Sequence, residues 1–180
     1  MKNSQQPASV GVPGDKFHCV TFILGGDLFA IEIGTIREII EFDGITRVPM
    51  MPDFVRGIIN LRGAVVPVID LSVRFGRGST DILPSTCVAI LALPHTDARF
   101  HEIGVLLDAV CEVLEIPQTD IEAAPTFGTS IRGDFIEGIA TVNGKFAILL
   151  DVHRALSVSE LSALATAINQ EQLVDDAQTA

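Results

Sequence analysis

The sequence predicts an all-β protein with a few short helices, in which two small five-stranded barrels follow one another along the chain. An internal repeat and a dominance of short strand-like segments support this prediction. Residues 54–71 reappear 81 positions later as residues 135–152, and a second echo, shifted by 74 positions, relates residues 36–40 to 110–114. A sheet of about five strands that closes into a barrel leaves few open edges. A small barrel is therefore the architecture that we expect for each copy.

The composition predicts a folded, soluble protein. Hydrophobic residues make up 48% of the 180 residues, which is enough for packed cores. The apolar runs are far shorter than the roughly 18 residues of a membrane-spanning helix, and the polar N-terminus is not a secretory signal. We therefore expect a cytoplasmic location. The cysteines Cys19, Cys87 and Cys111 form neither a disulfide framework nor a zinc motif, so neither a cofactor nor a metal is expected.

The charge is unevenly distributed between the halves. Residues 1–77 contain 8 Lys+Arg and 8 Asp+Glu, whereas residues 78–180 contain 4 and 15, so the second half carries the entire net charge of −11. Nucleic acid and anionic membrane would repel such a surface. The neutral first half is the more adaptable face for a protein partner.

The repeat and the composition divide the chain into four parts. These are a disordered leader (1–16), a first β-barrel unit (17–83), a second β-barrel unit (84–156), and a C-terminal helix with an acidic tail (157–180). Exchange of strands between the two units would leave the same pattern, so the strand order stays open.

Three tight turns define the predicted hairpins. Glycines at 25 and 26 join strands at 20–24 and 28–33, Arg62-Gly63 joins 57–61 to 64–69, and Asn143-Gly144 forms the equivalent turn in the second copy. Pro67 indicates a sheet edge or a bulge because it lacks the backbone N–H.

Helical signals are few and local. Asp70 and Asp151 each follow a strand and precede a short helical stretch, where a carboxylate would cap the helix. Residues 103–114 look like strand throughout. A capping box at Ser157 and Glu160 precedes apolar residues at 161, 164 and 168, which predicts an amphipathic helix over residues 158 to about 169.

The sequence lacks the motifs of common catalytic sites. The four histidines have no metal-ligand spacing, and His18 and Cys19 would point to opposite faces of a strand. No nucleophile elbow, zinc-protease helix or phosphate loop is present. A small-molecule-binding barrel, or an enzyme that uses a groove as its pocket, is the rival interpretation, but no convergent catalytic set supports it.

Arg62 is the most informative single residue. Its hairpin position favours a residue that tolerates a positive φ, which Asn143 supplies in the other copy, so folding alone does not favour arginine. A guanidinium on a rigid turn can recognise a carboxylate or a carbonyl. An arginine that lies over apolar surface is the equally weighted alternative. Glu38 is either the partner of Arg62 or an independent contact residue.

Several segments in order resemble the CheW family of bacterial chemotaxis coupling proteins. These segments are TFILGGDLFAIEIGTIREIIEF, ITRVP, MPDFVRGIINLRGAVVPVIDL, IGVLLDAVCEVLEI and FIEGIATVNGKFAILLD, which together span about residues 17–156. GIINLRGAVVPVIDL is specific to this family and to the regulatory domain of the kinase CheA. The resemblance implies two SH3-like barrels with an apolar groove between them, in an adaptor that links chemoreceptors to CheA.

The same resemblance implies the positions of the binding residues. The receptor-facing set is Ile36, Glu38, Thr46, Arg56, Asn60, Arg62, Val65, Gly104 and Val110. Kinase contact is expected at Phe127, in the segment Pro125-Thr126-Phe127, and more weakly around Phe29 and Ile31. Ile36, Val65 and Val110 have core packing as their alternative, and Phe127 has packing against its own barrel.

The function implied is therefore a non-catalytic adaptor in a chemotaxis signalling array. Its partners would be the cytoplasmic tip of a methyl-accepting chemoreceptor, the CheA regulatory domain, and other CheW copies in rings. It would be associated with membrane receptors only through proteins, without membrane insertion or nucleic acid. A similar scaffold for twitching motility or another kinase cascade fits the same sequence.

Overall fold

The computed structural model describes residues 15–94, 100–125 and 131–156. The strands within them are β1 (Lys16–Leu24), β2 (Asp27–Glu32), β3 (Ile36–Glu41), β4 (Val55–Leu61), β5 (Ala64–Ile69), β6 (Cys87–Pro94), β7 (Phe100–Leu107), β8 (Ala109–Pro117), β9 (Ile136–Val142) and β10 (Lys145–Leu150). Two one-turn helices follow β5 and β10, namely α1 (Leu71–Arg74) and α2 (Val152–Ala155). The predicted all-β class with few short helices is confirmed.

The strands form two five-stranded sheets that do not follow the order of the chain. Sheet I has the order β8-β1-β2-β10-β9, and sheet II has the order β3-β6-β7-β5-β4. Each sheet combines a hairpin from one copy of the repeat with three strands from the other. The predicted units 17–83 and 84–156 therefore do not coincide with the sheets, because strands are exchanged between them.

The chain crosses between the sheets at two equivalent points. It passes from β2 to β3 through the 3-10 turn Ile33–Thr35, and from β7 to β8 at Asp108. The strand-like run predicted over residues 103–114 is thus two strands in different sheets. The Asp108 carboxylate accepts a hydrogen bond of 2.8 Å from the Gly25 backbone N–H, which ties this crossing to the β1–β2 turn.

Alternate residues on the strands face different cores. In β1, Phe17 and Cys19 belong to a small cluster with other residues of sheet I, whereas Phe22 and Leu24 belong to the largest cluster. The largest cluster takes residues from both sheets, including Leu91 and Ile103 from sheet II. A third cluster lies within sheet II. Central strands are consequently apolar on both faces, which explains their continuous hydrophobic runs.

Each sheet has its two outer strands brought together by a crossing segment. Thr46, beyond β3, bridges to Ile58 in β4, and Glu122, beyond β8, bridges to Ile139 in β9. The segment that carries the bridging residue passes close to a glycine in both copies. A Cβ at Gly57 would lie 2.2 Å from the Thr46 carbonyl oxygen, and one at Gly138 would lie 2.5 Å from the side chain of Ile121. The repeated glycines are therefore positions of close backbone approach.

Asp70 and Asp151 cap the one-turn helices, as predicted. Asp70 is fully buried and accepts hydrogen bonds from the N–H groups of Ser72 and Val73, and Asp151 accepts one from Arg154. Pro67 pairs with Ile58 in β4, and the parallel ladder of β5 with β7 begins only at Val68. The missing N–H of Pro67 thus lies just beyond that ladder.

Three predictions concern residues outside the described ranges. These are the disordered leader as far as residue 14, the loop at 126–130 that contains Phe127, and the amphipathic helix at 158–169. No helix within the described part of the chain is both long and apolar enough to span a membrane.

Candidate interaction surface

The side chains of Arg62 and Glu38 form a two-pronged ion pair between the β4–β5 turn and β3. Arg62 Nη1 and Nη2 donate to Glu38 Oε1 and Oε2, each at 2.7 Å. Since β3 and β4 are the outer strands of sheet II, the pair joins its two edges. The Arg62 hydrogen bond lowers the pKa of Glu38, with a further contribution from the positive charge of Arg37. The carboxylate is thereby kept charged.

Arg62 holds a conformation that few side chains favour. Its φ is +54°, and Gly63 follows at +85°, which matches the +50° and +78° of Asn143 and Gly144 in the other copy. Both turns therefore have the two positive φ angles of a type I′ turn. Arg62 uses two of its five N–H donors on Glu38 and remains 73% exposed. The remaining donors are available to a partner.

Half-buried apolar residues flank this pair. Ile36 packs against the largest core and lines a small cleft of about 220 Å³ with Arg37 and Ala92. Val65 is half-buried beside Asn60 on the neighbouring strand. Exposed apolar area beside a fixed charge is typical of protein-binding surfaces.

Thr46 and Asn60 meet at a second cleft. Both are exposed, and together with Ile45 and Phe42 they line a volume of about 350 Å³ at the end of sheet II. The Asn60 side chain also accepts a hydrogen bond of 2.9 Å from the Gly63 N–H. Asn60 therefore helps to fix the turn that presents Arg62.

Arg56 has a structural partner. Its guanidinium donates to buried Asp70 at 3.0 Å and to the Thr80 carbonyl oxygen at 3.2 Å. Asp70 in turn accepts hydrogen bonds from the backbone N–H and hydroxyl groups of Thr80. The Arg56 side chain is only 21% exposed, so its main contacts lie within the fold.

The prediction that Phe29 and Ile31 contact the kinase is wrong for these two side chains, because both are buried. Phe29 is 0% exposed and Ile31 is 1% exposed, and both belong to the largest core. Phe29 stacks between Phe22 and Phe75. A partner could reach these side chains only if the core opened. Their side chains are buried in the core that sheet I shares with sheet II.

Gly104 is also not a surface residue. It is buried in β7, where a Cβ would lie 2.8 Å from Val88 Cγ1 and 3.1 Å from Val68 Cγ2. The position therefore needs glycine for packing inside sheet II. Val110, by contrast, is 37% exposed, but it lies on β8 in sheet I rather than beside Arg62 on sheet II.

Sequence reasoning missed several exposed apolar side chains. Ile39 on β3 and Val113 on β8 occupy equivalent positions 74 residues apart and are 38% and 63% exposed. Phe146, the counterpart of Val65, is 73% exposed, and Met50 is fully exposed at a φ of +61°. The alternation of apolar and polar residues along a strand cannot identify such positions when both faces of the strand are apolar. Exposure depends on where the opposite sheet ends, and the sequence pattern does not show this.

The second copy differs in its electrostatics. Glu137 stands where Arg56 stands in the first copy, and burial raises its pKa, with smaller contributions from the negative charges of Asp151 and Glu32. Asn143 donates only a long hydrogen bond, 3.3 Å, to Glu112, the counterpart of Glu38. Within residues 15–94, 100–125 and 131–156, no group of His, Cys, Asp and Glu side chains could hold a metal ion.

Comparisons with known proteins identify the family. The fold is that of an all-β protein with two five-stranded sheets. A CheW-like domain model matches residues 18–160, and the chain belongs to the CheW family. The chemotaxis protein CheW of Klebsiella aerogenes is 31% identical over 149 residues, which cover 83% of this chain and 86% of that protein. That of Treponema pallidum is 31% identical over 157 residues, with 87% and 91% covered.

A solved structure shows the same architecture. The scaffolding protein TtCheW from Thermoanaerobacter tengcongensis superimposes with a TM-score of 0.71 at 31% identity, covering 89% of this chain and 96% of that one. Protein FrzA of Myxococcus xanthus is also similar, at 27% identity over 132 residues that cover 73% of this chain and 78% of that protein.

The packing of Gly104 can be tested by substitution. Gly104→Ala should lower the free energy of unfolding by about 1–3 kcal/mol, because the new methyl group must displace two buried valines. Gly133→Ala is the matched control, since nothing lies within 4 Å of its added Cβ. Urea unfolding measures both. Equal stability of the two variants would contradict a packing role and return Gly104 to the candidate surface.

Proposed function

We propose that the protein is a non-catalytic adaptor that couples transmembrane chemoreceptors to the histidine kinase CheA. The proposal rests on membership of the CheW family and on a surface suited to contact. Its barrel interiors support contact over ligand binding, because each is filled by a cluster of buried side chains. We place the protein in the cytoplasm, at receptor arrays, with other copies of itself as further neighbours.

The Arg62–Glu38 pair is the observation that supports the receptor side. A partner's helical tip would find a fixed guanidinium with free donors beside the half-buried side chains of Ile36 and Val65. Apolar contact would supply affinity, while the charged pair would fix orientation. Thr46 and Asn60 extend this surface at the neighbouring cleft. Val110 would contribute from sheet I, whereas Arg56 would act by holding β4 in place.

The kinase side of the proposal rests on Phe127 alone. The resemblance to the family supports a contact between this residue and the CheA regulatory domain, and an aromatic side chain is a common interface anchor. Phe29 and Ile31 are not part of the proposed contact because both are core residues. Two separate contacts would allow receptor and kinase to be held together.

A second candidate function is a scaffold in a related pathway. The 27% sequence identity to protein FrzA of Myxococcus xanthus over 132 residues supports this alternative. The physical role would be unchanged, and only the identities of the receptor and kinase would differ.

Arg62→Asn separates the binding role from the folding role. Asparagine tolerates a positive φ and already occupies the equivalent turn, so the melting temperature should stay the same or rise. Affinity for a chemoreceptor cytoplasmic fragment should fall about 30-fold, as for a binding hot spot. Calorimetry and pull-down with the receptor fragment measure the two effects.

Lys16→Ala provides the control for Arg62→Asn. It removes another exposed ion pair, Lys16 with Glu115 at 2.9 Å, from a strand of sheet I. Receptor affinity should be unchanged in this variant. If Arg62→Asn also keeps full affinity, the Arg62–Glu38 pair is only a tie between strands and the receptor surface lies elsewhere.

Phe127→Ala tests the kinase contact. Binding to the CheA regulatory domain should weaken by about 30-fold, because an interface anchor is lost, while binding to the receptor fragment should not change. Titration calorimetry with each partner measures this difference. Undiminished kinase affinity would remove Phe127 from the interface, and equal loss toward both partners would indicate a general defect in folding.

A further inference from the structure

Sheet II is open between its two outer strands. Its strand order ends at β3 on one side and at β4 on the other, and in the described part of the chain a single backbone bridge, from Thr46 to Ile58, closes this side. Beside the bridge lies a cleft of about 350 Å³ that residues of both strands line, among them Ile40 and Asn60. An open sheet edge is a place where another chain can pair. The backbone groups at this cleft therefore decide what it can bind.

Two residues of β3 direct their backbone groups toward the open side. The N–H of Phe42, just beyond β3, donates to the carbonyl oxygen of Thr86, which precedes β6. Because successive residues of an antiparallel strand point their backbone groups to opposite sides, Ile40 also faces β6, whereas Ile39 and Glu41 face away from it. Within the described residues, β6 is the only strand that pairs with β3. The N–H and C=O groups of Ile39 and Glu41 are thus open to a further strand.

The facing edge of β4 is open beyond the bridge. The N–H and C=O groups of Ile58 bond to Thr46, at 2.8 and 2.9 Å. The cross-strand neighbour of Ile58 in β5 is Pro67, which has no N–H to offer, in agreement with the Ile58 groups pointing away from β5. Asn60 lies two residues further along β4, so its backbone groups point to the same side. Both rims of the cleft therefore present unpaired backbone groups.

The side chains at the cleft suit a segment with alternating apolar residues. Ile40, Ile59 and Val88 line the cleft and take part in the core cluster within sheet II. On the outer face of β3, the side chain of Ile39 is 38% exposed. An extended segment points successive side chains to opposite faces. Apolar residues in such a segment would contact the cleft on one face and Ile39 on the other.

The charges at the cleft favour a basic segment. Glu41 and Asp43 are exposed and belong to the lining of the cleft, which contains neither Lys nor Arg. Arg37, which precedes them on β3, is already paired with Glu102. Lys or Arg at the ends of the segment would therefore meet carboxylates of opposite charge, which favours the encounter and fixes orientation.

We propose that a short extended segment of a partner protein, apolar in its middle and basic at its ends, adds to β3 at this cleft as a further strand. Its backbone bonds to the free groups of Ile39 and Glu41, as in strand addition to other sheet edges. This contact goes beyond the adaptor function proposed above. It does not depend on that function, because it uses backbone groups of β3 and not the Arg62 guanidinium.

A synthetic peptide, Lys-Val-Thr-Val-Lys with both ends blocked, tests the proposal on the full chain. Solvent-exchange NMR spectra measure the exchange rate of each backbone amide hydrogen. Saturation with the peptide should slow exchange at Ile39 and Glu41 by at least about tenfold, because their N–H groups become bonded. The amide of Ile40, which already faces β6, is the internal reference.

Altered peptides separate backbone pairing from side-chain contact. Methylation of the backbone nitrogens of both valines in one peptide, and of the threonine and the second lysine in another, removes the donors from one side of the strand at a time. At least one of the two should bind about tenfold more weakly, because it loses its hydrogen bonds to β3. A peptide with glutamate in place of both lysines should also bind about tenfold more weakly.

Three variants of the protein locate the contact. Glu41→Lys should weaken binding of the basic peptide, whereas Asp120→Lys, which reverses an exposed charge in the turn after β8, should not. Arg62→Asn should keep full peptide affinity even if it loses the receptor fragment. Unchanged exchange at Ile39 and Glu41, equal binding of both methylated peptides, or no binding at about 1 mM peptide would overturn the proposal. So would protection confined to sheet I.

Discussion

The structure depends on a single hydrophobic core that the two sheets share. Each sheet contributes apolar side chains to it, and strands exchanged between the copies hold the sheets together. Burial of each large side chain contributes about 1.5–3 kcal/mol, so this shared core outweighs any exposed ion pair. Neither repeat can fold its own sheet without strands from the other. Within the described residues, the two sheets therefore form one body.

The repeat supplies a frame whose two copies have diverged at the surface. The capping aspartates, the crossing glycines and the type I′ turns are common to both. The residues on that frame differ: Arg62 faces Glu38 in one copy, and Asn143 faces Glu112 in the other. The first contact is a short bidentate ion pair, whereas the second is a single long hydrogen bond. The difference at the turn is compatible with a role beyond folding, because both turns have the same backbone conformation.

Much of the fold was predictable from the sequence, because turns and caps are local. Glycine pairs, Asn143-Gly144 and the aspartates before α1 and α2 act within a few residues of themselves. Strand exchange was not predictable, because two strands with the same apolar pattern can pair within a copy or between copies. The crossing at Asp108 illustrates this, since one polar residue in an apolar run does not show that the chain changes sheet.

The candidate surface was predictable only in part for a related reason. Arg62 could be identified because its conformation conflicts with its residue type, and its hydrogen bond to Glu38 shows that the two residues are partners. Burial of Phe29, Ile31 and Gly104 could not be predicted, since it depends on which strands lie opposite. The exposure of Phe146, near the start of β10, could not be predicted either, because it also depends on which strands lie opposite.

The central claim is that one rigid body holds a receptor and a kinase at the same time. Sedimentation of the protein mixed with a chemoreceptor cytoplasmic fragment and the CheA regulatory domain tests it most directly. The account predicts a single ternary species in which saturation with one partner leaves the affinity for the other undiminished. Displacement of the kinase domain by the receptor fragment, with only binary complexes present, would contradict it.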